Sequence, residues 1–224
     1  MAFTYEYPHP AVTVDIVLFG YEPGSPLEVL LIERASDPYK GRWAIPGGFV
    51  DYDEDLDEAA SRELHEETGI RKGRLSQVGT FGKPGRDPRE RIITVAYTAL
   101  VSKKRCRKQA GSDARHAEWF SVGRLPKLAF DHSKILKLSY RQLVRDLTEE
   151  PRLYQMLPRE FTLPEARDLF SVVFRNPFEL RKVRSLLIQS GAMEVKSRSK
   201  TGEKLYTLPP KAFKPLGKQA FGHA

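Results

Sequence analysis

The feature that most constrains the folding of this chain is an acidic segment that follows a pair of glycines. Residues 47–70 read GGFVDYDEDLDEAASRELHEETGI, and Glu66 and Glu67 follow Glu63 by three and four positions. On an α-helix these offsets place the three carboxylates on one face. Like charges at this spacing destabilise a helix unless an opposite charge lies beside them. A bound cation is one way to remove this repulsion.

The type of cation follows from the ligands. Mg²⁺ or Mn²⁺ suits this segment, because hard cations prefer carboxylate oxygens. Arg62 lies next to the glutamates and can pair with one carboxylate to fix its direction. Gly47 and Gly48 let the backbone approach closely, so a carbonyl group there can add a metal ligand. From the three glutamates alone, an exposed acidic helix face without a metal is the simpler interpretation.

The surrounding pattern predicts a mixed α/β module over residues 1–150. Strands are predicted in AVTVDIVLFGY, LEVLLIER, LSQVGTFG, RIITVAYTALV and HAEWFSV. The acidic helix is predicted from about Asp53, as its N-cap, to Thr68, with Gly69 after its end. Apolar residues at helical spacing predict a second helix in residues 132–150.

Residues 151–224 differ in charge from the first module. They contain 14 Lys and Arg against 6 Asp and Glu, whereas residues 1–150 contain 23 of each kind. The whole net charge of +8 therefore lies in the last third of the chain. This asymmetry suggests a second module that meets a polyanion, and a solvated basic tail is the alternative.

The same region has the pattern of a winged helix-turn-helix. Thr162 and Glu165 have capping-box spacing at the start of one predicted helix. In the next, NPFELRKVRSLLIQSG, Asn176 is the predicted N-cap and Pro177 takes the first helical position. MEVKSRSK and EKLYTL, joined by TG, predict a hairpin with a basic tip. Helix, turn, helix and hairpin in this order are typical of DNA-binding winged helices.

The second helix of this module predicts two contrasting faces. Its buried face is predicted to contain Phe178, Leu180, Val183, Leu186 and Leu187. The other face is predicted to enter or line a major groove through Arg181, Lys182 and Arg184. The hairpin is predicted to meet phosphates through Lys196, Arg198, Lys200 and Lys204. A helical accessory module that dimerises the chain, with lysines serving only solubility, is the alternative.

The acidic segment resembles the Nudix box without a missing position. The matching residues are Gly48, Glu54, Arg62, Glu63, Leu64, Glu66, Glu67, Gly69 and Ile70. The resemblance implies the Nudix α/β/α sandwich and cleavage of a diphosphate joined to another moiety. It implies Glu63 and Glu67 as the main metal ligands, with Glu66 a further ligand or the partner of Arg62. The Gly47 carbonyl completes the implied shell, and Glu54 supports the helix.

The chemistry implied for the box is metal-assisted hydrolysis. A bound cation neutralises phosphate oxygens and lowers the pKa of a coordinated water. Glu66, Glu67 and Arg62 are therefore the candidate catalytic residues. Nudix enzymes usually take a general base from the box or from a later loop, and Glu66, Asp113 and Glu118 are the candidates here.

A segment after the box indicates the substrate. FGKPGRDPRERIITVAYTALV resembles a segment of Nudix proteins that handle ADP-ribose and related compounds of NAD metabolism. Arginine forks suit phosphate oxygens, so Arg86 and Arg89 are the predicted substrate contacts. Trp43 and Phe49 flank the glycines, and either can stack on adenine, although a core position is the simpler interpretation.

The resemblance extends into the second module. FDHSKIL, LPREFTLPEARDLFSVVF, NPFELRKVRSLL and TGEKLYTL are similar to the carboxyl half of the Nudix-related transcriptional regulators of NAD metabolism. One difference concerns the recognition helix, where that family commonly has an Arg-Asn-Phe-Arg-Arg run. This chain has ELRKVRSLL, which keeps basic residues but lacks the Asn-Phe pair, so the operator sequence is left open.

Two functions therefore stand as hypotheses. The first is an ADP-ribose-binding transcriptional regulator of NAD-related genes, a homodimer on double-stranded DNA, with hydrolysis of its ligand left open. The second is a Mg²⁺-dependent ADP-ribose pyrophosphatase that releases AMP and ribose 5-phosphate and dimerises through the basic module. The chain has one cysteine, lacks a signal-peptide pattern and contains no apolar run of about 18 residues, which predicts a cytoplasmic protein without a membrane partner.

Overall fold

A computed structural model describes residues 6–70, 75–103, 114–149, 156–209, 211 and 213–216. The chain divides into two compact units by its internal contacts. Residues 1–20 and 28–139 form the first unit, and residues 21–27 and 140–224 form the second. The functional division at residue 150 stays a prediction.

The elements before residue 150 alternate strands with two helices, as the hydrophobic pattern predicts. In chain order they are β1 (Ala11–Tyr21), β2 (Glu28–Arg34), β3 (Trp43–Ala44), β4 (Gly47–Phe49), α1 (Leu56–Thr68), β5 (Ser76–Phe81), β6 (Ile92–Ser102), β7 (Ala114–Ser121) and α2 (His132–Glu149). The segment RWAIPGGFV, which has no long apolar run, forms the two short strands β3 and β4.

The seven strands join in one mixed sheet with β1 near its centre. The order is β3-β2-β1-β6-β5, with β4 also paired to β1 and β7 to β2. The Thr94 and Thr98 hydroxyls donate to the Thr13 and Val17 carbonyls at the same offset of 81 residues, so β1 and β6 run parallel. Since both faces of β1 are covered, its last nine residues are all buried, which explains the apolar sequence of this strand.

Helices cover the two faces of this sheet. Val14 and Ile16 of β1 belong to one buried cluster with Ala60 and Leu64 of α1. Asp15 points to the opposite face, because neighbouring side chains of a strand alternate. There its carboxylate lies 3.6 Å from Nε2 of His132, the first residue of α2. The predicted α/β/α sandwich is therefore confirmed.

The start of α1 differs from the prediction. Asp55 is the N-cap, and the helix begins at Leu56 rather than near Asp53. The Asp55 carboxylate accepts from the Asp57 N–H (3.3 Å), and the Asp55 N–H donates to the Glu58 carboxylate (3.2 Å). This reciprocal capping box satisfies amide groups that Asp53 cannot reach. The other end is confirmed, since Gly69 has a left-handed conformation after Thr68.

The second unit has the predicted helix-turn-helix and hairpin. Its elements are β8 (Phe161–Thr162), α3 (Leu163–Phe174), α4 (Leu180–Gln189), β9 (Met193–Arg198) and β10 (Lys204–Thr207). The strands form a sheet of order β8-β10-β9, in which β8 is an addition that the sequence pattern did not predict. The capping box of Thr162 and Glu165 is confirmed at the start of α3.

The start of α4 also differs from the prediction. The N-cap is Glu179, whereas Asn176 was the predicted cap. The Asn176 N–H donates to the Ser171 carbonyl (3.2 Å), and the Phe178 N–H donates to the Ser171 hydroxyl (3.2 Å). Both residues are thus held at the end of α3, which delays the start of α4 by one turn. The prediction failed because local capping chemistry does not show this contact.

The buried face of α4 is confirmed except at its first residue. Val183, Leu186 and Leu187 are buried, whereas Leu180 is 41% exposed and was wrongly placed in the core. Phe178 is half-buried, with its ring centroid 5.4 Å from that of Phe174. In the part of the chain that the structure describes, no helix is long and apolar enough to cross a bilayer.

Replacing Asp55 with alanine tests the corrected start of α1. We expect Asp55→Ala to lower the free energy of unfolding by about 1 kcal/mol, because the capping box loses its acceptor. Asp53→Ala is the matched control and should change stability by less than about 0.5 kcal/mol. Urea denaturation of the full chain measures both, and equal losses would contradict the assignment of Asp55 as the cap.

Candidate functional site

A hydrogen bond joins the acidic helix to the sheet. Strands β1 and β4 are antiparallel, and the Ile16 N–H of β1 donates to the Pro46 carbonyl (2.8 Å). Hydrogen-bonded and non-hydrogen-bonded pairs alternate along antiparallel strands, so the next pair, Asp15 and Gly47, is not hydrogen-bonded to each other. The backbone groups of Gly47 therefore point away from β1. Its N–H donates to the Glu67 carboxylate (2.7 Å), and its carbonyl faces the same side, since both groups of a strand residue point in one direction.

The two glycines are required by close contacts. Gly47 has φ +155°, and a Cβ there would lie 2.9 Å from the Asp15 Cα. A Cβ on Gly48 would overlap the carboxylate of Glu63, with its carboxyl carbon at 2.5 Å. The missing side chain of Gly48 thus creates the space that Glu63 occupies, whereas that of Gly47 lets β4 approach the backbone of β1.

Arg62 resolves part of the repulsion among the carboxylates. Its Nη1 donates to Glu63 (2.8 Å) and to Glu66 (3.3 Å), and its Nε donates to Glu54 (3.0 Å). Its Nη2 also donates to the Phe49 carbonyl (3.0 Å). One guanidinium therefore holds three glutamates and the end of β4 in place, which accounts for the arginine at this position.

Two of the three glutamates that Arg62 contacts, Glu54 and Glu63, differ in their environment. Hydrogen bonding by Arg62 holds the pKa of Glu54 below its ordinary value. Burial raises the pKa of Glu63, and the hydrogen bond from Arg62 only partly opposes this shift. A buried carboxylate with a raised pKa gains from a nearby cation, which favours its charged form.

The donor set is chemically suited to a divalent cation. Glu63, Glu67 and the Gly47 carbonyl offer hard oxygen atoms on the side of α1 that faces β4. Among the described residues, no group of three or more His, Cys, Asp or Glu side chains has the spacing of a metal site. Glu66 is 53% exposed and lies beside Arg62, so the protein offers the buried carboxylate of Glu67, the partly buried one of Glu63 and a backbone oxygen.

A cavity of about 290 Å³ opens next to these groups. Its lining includes Gly47, Gly48 and Glu67, and thus reaches the acidic helix. The other charged and aromatic lining residues are Asp15, Arg34, Phe49, Arg86, Asp87, Arg89, Phe130 and His132. Three arginines and two aromatic rings at one cavity suit an anionic ligand that also carries a flat ring.

The predicted contacts Arg86 and Arg89 both line the cavity, but they differ in exposure. The Arg86 side chain is 4% exposed and donates to Asp131 (2.8 Å), with the Asp15 carboxylate 3.6 Å away. The Arg89 side chain is 38% exposed and pairs with Asp87 (2.7 Å). Burial raises the pKa of Asp87, but the hydrogen bonds from Arg89 outweigh it and bring that pKa below its ordinary value.

Aromatic rings position the arginine side chains. The Arg89 guanidinium lies 5.2 Å from the Phe49 ring centroid and 5.7 Å from that of Phe130. The Arg34 guanidinium lies 4.9 Å from the same Phe130 centroid. Phe49 is 40% exposed, so it is not a core residue. Trp43 packs against Phe120 instead, with centroids 4.6 Å apart.

Sequence reasoning missed Asp15 and His132, which form the buried side of the cavity. The Ile45 N–H donates to His132 Nδ1 (2.9 Å), so the ring proton of the neutral form lies on Nε2, toward Asp15. Burial lowers the pKa of His132, which favours this neutral form. The Thr94 hydroxyl oxygen lies 2.8 Å from the Asp15 carboxylate, so its one proton is shared between Asp15 and the Thr13 carbonyl. A lone aspartate within the apolar strand AVTVDIVLFGY was the signal that could have identified this site.

The remaining general-base candidates are placed less favourably. Glu118 is exposed on β7 and lies 3.9 Å from Nε2 of His116, outside the cavity lining. Asp113 lies outside the described residues. Of the three candidates, Glu66 is the one that the structure places on the acidic helix.

The basic side chains of the second unit are exposed, as predicted. Arg181, Lys182 and Arg184 project from α4, and Lys196, Arg198, Lys200 and Lys204 project from the hairpin. Lys204 pairs with Glu194 (3.0 Å) and Arg198 lies 3.8 Å from the same carboxylate. Of the α4 cations, Lys182 lies near the Phe178 ring, with Nζ 5.8 Å from its centroid.

Known proteins are similar to this chain over both units. A family model described as the NUDIX domain matches residues 9–139. The ADPR responsive transcriptional repressor NtrR of Acinetobacter baylyi is 36% identical over 203 residues, which cover 89% of this chain and 80% of that protein. The ADP-ribose pyrophosphatase of Methanocaldococcus jannaschii is 44% identical over 131 residues, which cover 58% of this chain and 73% of that protein.

A solved structure extends the similarity across both units. Shewanella oneidensis NrtR complexed with a 27mer DNA has a TM-score of 0.71 and 32% sequence identity. The match covers 90% of this chain and 94% of that chain. Its similarity thus includes the helix-turn-helix and hairpin of the second unit as well as the sandwich.

Replacing Gly48 with alanine tests whether the glycine pair makes room for a metal site. We expect Gly48→Ala to displace the Glu63 carboxylate and to weaken Mn²⁺ binding by about tenfold or more, since one buried ligand is lost. Gly79→Ala is the control, because a Cβ there makes only an ordinary contact with Leu138 (3.6 Å). Calorimetric titration measures both, and unchanged Mn²⁺ affinity in Gly48→Ala would contradict the assignment.

Proposed function

This chain belongs to the Nudix family, and we propose that it is an ADP-ribose-responsive repressor of NAD-related genes that binds DNA through its C-terminal winged helix. The observation that carries the proposal is the extent of the similarity to the Acinetobacter baylyi repressor. It covers 89% of the chain and therefore both units. We assign ligand binding to residues 1–150 and DNA binding to residues 151–224.

The proposed ligand site is the cavity beside the acidic helix. A nucleoside diphosphate needs cations for its phosphates and an apolar surface for its base. The exposed guanidinium of Arg89 supplies the positive charge and the ring of Phe49 supplies the apolar surface, and these two side chains are in contact. Arg86, which is buried and doubly paired, supplies a fixed positive charge behind them. ADP-ribose fits this arrangement, and the archaeal pyrophosphatase that matches the first unit is named for the same compound.

The proposed cofactor is Mg²⁺ or Mn²⁺, held by Glu63, Glu67 and the Gly47 carbonyl. When bound, such a cation neutralises diphosphate oxygens and lowers the pKa of a coordinated water. The residues of the chain set its position, because Arg62 fixes Glu63 and the Gly47 amide fixes Glu67. Glu66, the more exposed glutamate, is the proposed proton acceptor.

The proposed DNA contacts lie on α4 and the hairpin. Arg181, Lys182 and Arg184 stand on the exposed face of α4, opposite the buried Val183 and Leu187. The first turn of α4 has no acidic residue, and the one carboxylate next to it is that of the N-cap Glu179. Lys196, Arg198 and Lys200 extend the same charge along the hairpin and its tip. We further propose a homodimer in the cytoplasm, so that two recognition helices read a palindrome.

Ligand and DNA are coupled through the dimer in this proposal. ADP-ribose can release DNA only if it binds the DNA-free arrangement more tightly than the DNA-bound one. The coupling is reciprocal, so operator DNA must lower the affinity for ADP-ribose by the same factor. In a DNA-binding protein whose cavity binds ligand independently, operator DNA would leave the affinity for ADP-ribose unchanged.

Hydrolysis of ADP-ribose to AMP and ribose 5-phosphate is a second candidate function. It is favoured by the intact box geometry, in which Arg62, Glu63 and Glu67 all have defined partners. It is also favoured by the 44% identity to the archaeal pyrophosphatase. The two functions are compatible, since slow hydrolysis would remove the ligand and restore repression.

Replacing three α4 cations tests DNA binding. We expect Arg181→Ala/Lys182→Ala/Arg184→Ala to weaken binding to the promoter region of the chain's own gene by at least about tenfold, because phosphate and base contacts are lost. Lys40→Ala/Lys127→Ala/Lys137→Ala removes the same charge from exposed positions of the first unit and is the matched control. Fluorescence anisotropy at physiological salt measures both variants.

The same titration tests the ligand response. ADP-ribose should release the wild-type protein from the promoter and should leave its weak binding to random DNA unchanged. Equal affinity for promoter and random DNA would contradict a regulator, as would promoter binding that ADP-ribose does not alter.

Replacing Glu67 with glutamine tests hydrolysis separately. The introduced amide oxygen can still accept from the Gly47 N–H, but the side chain lacks the charge that holds a cation. We therefore expect Glu67→Gln to lose at least about a hundredfold of Mg²⁺-dependent turnover, a loss on the order of 3 kcal/mol. Glu118→Gln is the control and should retain turnover. Measured release of AMP that is equal in wild type and Glu67→Gln would contradict a catalytic role for the box.

A further inference from the structure

The exposed surface of α4 contains an apolar residue among its cations. Ile188 is 49% exposed, although it lies near the end of a helix in which Val183, Leu186 and Leu187 are buried. A shallow groove on this surface is lined by Arg181, Arg184, Ser185, Ile188 and Gln189. An exposed isoleucine is ordinary on its own, but its place in a charged groove needs a physical reason.

The helical period explains why these residues share one face. Arg181, Arg184 and Ile188 follow one another by three and four positions, so they stand in one row along α4. The side chain of Gln189 donates from Nε2 to the Ser185 hydroxyl (3.1 Å). This bond ties the flanking polar groups to each other, so the groove presents two guanidinium groups, one aliphatic side chain and a polar edge.

We propose that Ile188 is a specificity-determining residue that packs against the C5-methyl group of a thymine in the operator. The inference rests on the proposed DNA-binding function and adds the residue that reads a base. In the major groove, thymine is distinguished by its methyl group and guanine by two acceptors that suit arginine. A row of two arginines followed by an isoleucine therefore matches a half-site in which one recognition helix contacts both a guanine and a thymine.

The charge of α4 favours DNA over a second copy of the chain as the occupant of this groove. Residues 180–189 read LRKVRSLLIQ and contain three cations without an acidic residue. Two such faces in a symmetric dimer contact would bring six cations together, which is unfavourable without bound anions. Phosphates that flank a base pair supply the opposite charge, while the base edge supplies an apolar methyl group.

Replacing thymine with uracil in the operator isolates the proposed contact, because uracil lacks only the methyl group. An operator is first selected from random DNA with the full-length protein, and each thymine is then replaced in turn. We expect one position at which uracil weakens wild-type binding by roughly threefold to fivefold. Ile188→Ala should bind the thymine and uracil forms of that position equally.

Leu180→Ala is the matched control variant. Leu180 is also an exposed aliphatic residue of α4, at 41%, but it does not line the groove. It should keep the full sensitivity to uracil that the wild type shows. Since both residues are exposed, neither substitution should change thermal unfolding appreciably, which circular dichroism checks.

Several outcomes would overturn the inference. Independent effects of uracil and Ile188→Ala, measured as a double-mutant cycle, would show that the two groups do not touch. A change of oligomeric state in Ile188→Ala, seen by analytical ultracentrifugation, would assign the groove to a protein interface instead. In both cases operator binding by the wild type would still support the proposed regulator, whereas failure to select any operator would overturn the regulator itself.

Discussion

The hydrogen bond from the Gly47 amide to Glu67 is the contact on which the candidate site depends. It joins the end of a helix to β4, a short strand that pairs with β1 near the centre of the sheet. The bond is possible because Gly47 lies at a position of β4 where backbone groups point away from β1. It also fixes a carboxylate that is 8% exposed without neutralising its charge. A charged, oriented and nearly buried acceptor is thereby ready for a cation.

Charge compensation by arginine is the second principle of this unit. Arg62 bridges glutamates that would otherwise repel one another, and Arg86 is itself balanced by Asp131 and Asp15. Arg89 is balanced by Asp87, yet it keeps a more exposed side chain at the mouth of the cavity. Buried charges are stable only when paired and hydrogen-bonded. The graded exposure of these arginines therefore separates those that support the site from Arg89, the one that we propose contacts a ligand.

Sequence patterns predicted the elements well and their boundaries less well. The position of α1, the helix-turn-helix and the hairpin followed from periodicity and turn residues, and the Thr162 capping box was correct. Asp53 and Asn176 failed as caps, and both helices begin later in the chain than predicted. Asp55 is the N-cap of α1 because it forms a reciprocal capping box with Glu58. Asn176 is held by Ser171 at the end of α3. The Asp55–Glu58 spacing is a local capping-box pattern that the sequence contains, whereas the contact between Asn176 and Ser171 is one that a spacing rule does not contain.

The sequence by itself determined the acidic helix, the glycine pair beside it and the concentration of positive charge in the last third. These features are local, since helical offsets and composition need no knowledge of distant residues. Only the tertiary structure decided that Asp15 and His132, which are far apart in the chain, meet on the far face of the sheet. It also decided that Phe49 lies at the cavity while Trp43 packs on Phe120. The reason is physical: strand pairing and register choose which face each side chain takes, and pairing joins segments that are distant in sequence.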